Sequence, residues 1–220
     1  MDYSPLVISI KASLISSVIV FVLGVTAAWG VTAMRKGRFI FDTLFSLPMV
    51  LPPTVTGFFL LIIFGKNSFV GEFLSRMGIS VVFNLKGAVI AAAVVSFPIM
   101  YTTARGAFDQ VSKLYSDAAK NLGMSGISTF LRVILPNASH GIIGGLMLSF
   151  ARAMGEFGAT IMIAGNIPHR TQTMSVAVYT AMQSGNRELA FRWVLIILTI
   201  SFVSIISVRL WNESLRRKSR

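Results

Sequence analysis

The chain has no cysteine, which removes a disulfide framework, a thiolate zinc site and a cysteine nucleophile together. It is poor in charge as well: 13% of its 220 residues are charged, against about a quarter in an ordinary soluble domain. Acid groups are scarcest, with eight carboxylates against twenty basic residues, so paired-carboxylate chemistry has little material. No H-E-x-x-H occurs, and no G-x-x-x-x-G-K-[ST] to cradle the phosphates of ATP. An internal repeat of the kind found in many secondary transporters is not evident.

What the chain has is apolar length. Hydrophobic residues make up 54%, and three uncharged runs, Ala12 to Ala33, Thr43 to Gly65 and Gly87 to Ala104, hold 22, 23 and 18 residues. A bilayer core of ~30 Å needs roughly 20 helical residues, so each run can span it. Gly141 to Gly165 is interrupted by Arg152 and Glu156, and Trp193 to Val208 is followed by Arg209. Buried charges pair and terminal arginines snorkel, so both count as spans. The expectation is one all-α integral-membrane domain over 1–220, with spans near 6–34, 43–65, 87–104, 141–165 and 192–211. The first segment has no basic region before it and no small-residue cleavage site after it, and reads as an uncleaved helix.

In such a chain the net charge of +12 reads first as topology, and no nucleic-acid partner is expected. Arg35, Lys36, Arg38, Arg105, Lys113, Lys120, Arg132, Arg209, Arg216, Arg217, Lys218 and Arg220 fall on one side. Lys66, Arg76, Lys86, Arg170, Arg187 and Arg192 fall on the other. The positive-inside rule then puts the N-terminus outside and the C-terminus in the cytoplasm of a multi-pass cell-membrane protein. His140 and His169 end on opposite sides.

Within the spans, Gly24, Ala27, Ala28 and Gly30 permit close helix approach. Pro48, Pro52 and Pro53 must kink or break the second span, whose freed backbone groups need protein or a wet cavity. The outer loops 66–86 and 166–192 carry apolar residues at helical spacing, Phe69, Val70, Phe73, Leu74 and Met77 in one and Met174, Val178, Ala181 and Met182 in the other. The second is either a docking surface for an external partner or an amphipathic helix resting on the bundle.

The stretch Asp117 to Pro136, in the loop 105–136, is the most informative. Ser112 to Leu122 predicts a helix closed by Gly123 in the left-handed conformation. Ser125 or Ser128 can cap a second helix running to Leu135, with Pro136 as the boundary before span four. Composition alone fits an ordinary cytoplasmic loop equally well. The order Asp117-Ala118-Ala119-Lys120, then Gly123, Val133, Leu135 and Pro136, resembles the E-A-A motif of ATP-binding-cassette (ABC) importer permeases. Asp117 stands there for the usual Glu, and Val133 for the usual Ile. Ala151 to Ile161, including Arg152, Gly155, Glu156, Phe157 and Gly158, is similar to the oxyanion branch of that family, most closely to molybdate permeases, as are Leu47-Pro48, Pro52-Pro53 and Ser96-Phe97-Pro98.

The resemblance implies a type I ABC importer permease fold, with about five transmembrane helices and a cytoplasmic coupling helix. It implies a non-catalytic homodimer that binds no cofactor, with ATP and Mg on two ATPase subunits and an extracytoplasmic oxyanion-binding protein outside. Molybdate is the implied cargo, with tungstate alongside it. Sulfate or thiosulfate is the alternative within the family, and an ATP-independent secondary transporter the alternative outside it. Arg152 and Glu156, four apart, read as one face of the fourth span, where each alone would cost at least ~2.5 kcal/mol. They serve either as positive potential for a dianion or as a structural pair near the gate. The second reading is preferred, because a charge in the pathway would hold the anion too long.

Overall fold

Helices form wherever the apolar runs lie, and the backbone departs from them where donors are missing or side chains compete. The structure, a computed structural model, describes residues 2–34 and 36–218, and for 208, 209 and 211–218 the helical backbone alone. Of the basic residues used for topology, Arg35 and Arg220 lie outside the described residues. For Arg209, Arg216, Arg217 and Lys218 the same holds of the side chains.

Three long helices make the centre: α1 (Ser4–Ala33), α5 (Leu85–Asp109) and α8 (Leu135–Met154). α5 packs along both of the others. Ile8, Ala12, Ser16, Val20, Gly24 and Ala28 recur every four residues on the buried stripe of α1, and most are small. A Cβ at Gly24 would come within 2.7 Å of Met100 Cγ, so this glycine sets the close approach to α5. Two of the buried hydroxyls show how such groups are served, locally or across the bundle. Ser96 donates to the Ala92 carbonyl at 2.6 Å, and Ser9 Oγ accepts the Met174 amide at 2.8 Å. The latter ties α1 to the start of α10 (Met174–Gln183).

The second span is two helices, α2 (Arg38–Val50) and α3 (Pro53–Phe64), bent by 109°. Pro48 lies inside α2 without ending it. The break comes at Leu51, extended at φ −68° and ψ 138°, because two successive prolines remove two donors and push the preceding residue out of the helical region. Outside the spans, α4 (Phe69–Arg76) is capped by Ser68, whose Oγ accepts the Gly71 amide at 2.9 Å.

α6 (Lys113–Asn121) and α7 (Gly126–Thr129) form the expected pair around Gly123. Pro136, however, is not a boundary: the helix runs unbroken over Gly126–Met154. A π-turn at Phe130–Ile134 accounts for this. There the Leu135 amide bonds the Phe130 carbonyl five residues back, and the wider turn accommodates a proline that has no amide to offer.

The fourth span also differs from expectation. α8 stops at Met154 and α9 (Gly158–Ala164) begins after a three-residue break, so Glu156 is off the helix that carries Arg152. α11 (Arg187–Lys218) completes the bundle. Among the described residues, four helices are long and apolar enough to cross a membrane, and five spans result if the bent pair is one.

Candidate functional site

Two regions contain the residues singled out by sequence. The first is α6. Its start is capped by Ser112, whose Oγ accepts the Leu114 amide at 3.3 Å. Its end is a Schellman motif, with the Gly123 amide on the Lys120 carbonyl at 2.9 Å and the Met124 amide on the Ala119 carbonyl at 3.0 Å. Gly123 stands at φ +74° with open space around its absent Cβ, so conformation rather than crowding demands glycine there. The two alanines divide: Ala119 is buried, while Ala118 is exposed. Leu114, Ala118 and Leu122 recur every four residues on the outer face, and Leu114 and Leu122 are 78% and 82% exposed. Asp117 and Lys120 stand at the surface as a loose pair, 3.7 Å apart. Leu135 and Pro136 lie on the other side of the π-turn, at the root of α8. α6 packs on that turn and on α7, so the exposed stripe is mounted on the base of a long central helix.

The second region is where the two broken spans meet. Glu156 is buried, and its Oε1 accepts the Ala159 amide at 2.8 Å, satisfying an orphan donor in the first turn of α9. Its Oε2 lies 2.7 Å from Arg152 Nη1, near enough for an ion pair though not aligned as a hydrogen bond. One carboxylate therefore both starts α9 and neutralises Arg152 near the end of α8. The chain can leave the helix at Gly155 because this side chain replaces the lost backbone partner. Phe157 packs on Tyr179 at 5.1 Å between ring centroids. Gly155 is exposed, whereas Gly158 is pressed against the other break: a Cβ there would meet Pro53 Cβ at 3.0 Å and the Thr54 amide at 3.2 Å. One turn on, a Cβ at Gly57 would fall 2.7 Å from Ala159 Cα. The proline break and the glutamate break thus touch backbone to backbone.

Sequence reasoning missed a third group. Arg38 and Asp42 on α2 meet Tyr101, Arg105 and Asp109 on α5. Arg38 Nη2 bonds both Asp109 oxygens at 2.8 and 2.9 Å, and Asp42 takes Arg105 and the Tyr101 hydroxyl together. The available signal was the placing of Asp42 just before one apolar run and Arg105 just after another. Among the described side chains, every carboxylate from Asp42 to Glu188 has a cation within 4.0 Å. No group of three or more potential metal ligands occurs among them.

Residues 20–218 match the family model described as "Binding-protein-dependent transport system inner membrane component". The chain is 42% identical to YvgM of Bacillus subtilis, a protein provisionally named a molybdenum transport system permease, over 94% of this chain and 92% of that one. It is 37% identical to the molybdenum transport system permease ModB of Escherichia coli K12, over 100% and 95%. Against the sulfate transport system permease CysT of Salmonella typhimurium identity is 32%, over 96% of this chain and 76% of that one. Among solved structures, an inward-facing MetNI methionine ABC transporter matches with a TM-score of 0.72 at 13% identity, over 96% and 94%, a likeness of fold alone.

Proposed function

The chain belongs to the family of binding-protein-dependent transport system inner membrane components, and from that premise we propose that it is the permease subunit of an ATP-driven importer of molybdate, and of tungstate with it. It is a membrane-embedded, multi-pass, non-catalytic subunit of type I ABC importer fold. ATP is hydrolysed by a separate subunit, and the cargo arrives on a substrate-binding protein. Sulfate is the weaker reading, since the molybdenum relatives match end to end and the sulfate relative does so over 76% of its length.

The observation that carries the mechanism is α6. A short helix fixed at both ends, with Leu114, Ala118 and Leu122 turned outward, suits the groove of another protein. The small side chain at Ala118 leaves the helix backbone approachable at the middle of that stripe. In the proposed arrangement two copies of the chain form the pathway, and two ATPase subunits receive one α6 each on the cytoplasmic side. The N-terminus lies outside and the C-terminus inside. Closure of the ATPase pair moves α6, and α8, which continues from the π-turn on which α6 packs, follows as a rigid body. The binding protein docks on the opposite face and favours the same outward-facing state, so the two partners are thermodynamically coupled.

The rest of the chain fits an anionic cargo. Among the described side chains, each carboxylate from Asp42 to Glu188 has a cation within 4.0 Å, so a dianion meets no bare negative charge among them. Arg152, half engaged by Glu156, organises the gate rather than holding the anion. The test is ATPase activity of the complex in liposomes: stimulation by molybdate-loaded binding protein is expected, and stimulation by the sulfate-loaded protein instead would overturn the assignment of cargo.

A further inference from the structure

α2 is the least embedded of the long helices: none of its thirteen residues is buried. It touches α5 and, over a short length, α1. Phe45 packs edge-on to Phe97 and Tyr101 at 5.6 and 5.1 Å between centroids. The remaining hold is ionic. Asp42 is bound by Arg105 and Tyr101, and Arg38 by Asp109. Asp109 ends α5 three residues before Ser112, the cap of α6. Arg38 and Asp109 also line a cavity of about 650 Å³, together with Lys113, Asp117 and Lys120 of α6, so the docking helix has space to shift against this cluster.

We propose that Asp42, Arg105, Arg38 and Asp109 are positioning residues that clamp α2 to the root of α6 and deliver movement of the docking helix to the proline break of the second span. The inference deepens the importer reading and rests on it. From Asp109 the connection runs through Arg38 and α2 to Leu51, and then through Gly57 of α3 to Ala159 beside Glu156. The guanidinium Nε groups of Arg38 and Arg105 are both buried without a hydrogen bond, that of Arg105 standing 3.8 Å from Asp109 Oδ2. A fully satisfied structural lattice would leave no such donors, and these offer the cluster an alternative pairing when α2 is displaced.

The variants are Asp42→Asn, and Asp42→Arg combined with Arg105→Asp. In the complete complex in liposomes, Asp42→Asn is expected to raise ATP consumed per molybdate imported about tenfold, with the exchanged pair recovering most of the loss. A second readout does not depend on the cargo. The permease has no native cysteine, so nitroxides at Phe39→Cys and Gln110→Cys, beside Arg38 and Asp109, report the spacing of α2 and α5 by dipolar broadening in the assembled complex. Broadening should be present in the otherwise unmodified chain, lost in Asp42→Asn and restored by the exchange. Unchanged stoichiometry or retained broadening in an assembled Asp42→Asn complex overturns the clamp, as does an exchanged pair that restores neither. Absence of molybdate-dependent hydrolysis in the unmodified complex counts against the importer reading instead, and the nitroxide pair still decides the clamp.

Discussion

The two broken spans interrupt a helix by opposite means. Between α2 and α3 the backbone lacks donors: Pro52 and Pro53 carry no amide, and Leu51 is forced extended. Between α8 and α9 every residue has its amide, and a side chain makes the break by offering a better acceptor, Glu156 Oε1 to Ala159. The first break is written into covalent structure and persists whatever surrounds it. The second depends on a buried carboxylate remaining paired and in place. Their contact through Gly57, Ala159, Gly158 and Pro53 makes the fixed break a seat for the conditional one.

Substitutions should separate the two. The largest loss is expected from Glu156→Ala, which frees the Ala159 donor and strands Arg152; about 3 kcal/mol fits the lower end for a broken buried pair, because Arg152 is about a third exposed. Glu156→Gln keeps an acceptor for Ala159 and should cost less. Thermal unfolding of the detergent-solubilised complex measures both, and equal losses would mean that capping contributes nothing.

Next come the glycines. Gly158→Ala drives a methyl to 3.0 Å from Pro53 Cβ and should cost about 1–3 kcal/mol through overpacking. Gly155→Ala, in open space, should change stability by less than about 1 kcal/mol. A reversal of that order would show that the breaks are not seated on each other. The smallest effect belongs to Pro52→Ala, since Pro53 alone still restricts its predecessor. A shift in unfolding midpoint larger than that of Gly158→Ala would show that the pair of prolines acts as a unit.

The same contrast explains what could be read in advance. Prolines and a left-handed glycine act within one or two residues, so the break of the second span and the turn at Gly123 were legible from local sequence. Arg152 and Glu156 sit four apart, a spacing that reads as one helical face. That Glu156 instead caps a new helix depends on burial and on the seat at Pro53. Pro136 misled for a related reason, because a π-turn removes the conflict that would have ended the helix. The Arg38–Asp109 and Asp42–Arg105 pairs join residues more than sixty positions apart, and no periodicity reports such a contact. Ala119, paired by sequence with Ala118, faces inward because α6 lies flat on the π-turn.

In the proposed mechanism α6 transmits work, and Gly123 is where that proposal is most exposed. Its Cβ would touch nothing, so Gly123→Val perturbs the end of the helix without crowding a neighbour, through the cost of φ +74° for a β-branched residue. The decisive measurement is molybdate uptake against ATP hydrolysis in liposomes holding the complete complex with this substitution. The account predicts hydrolysis that continues while uptake falls sharply; uptake and hydrolysis both at the level of the unmodified complex would contradict it.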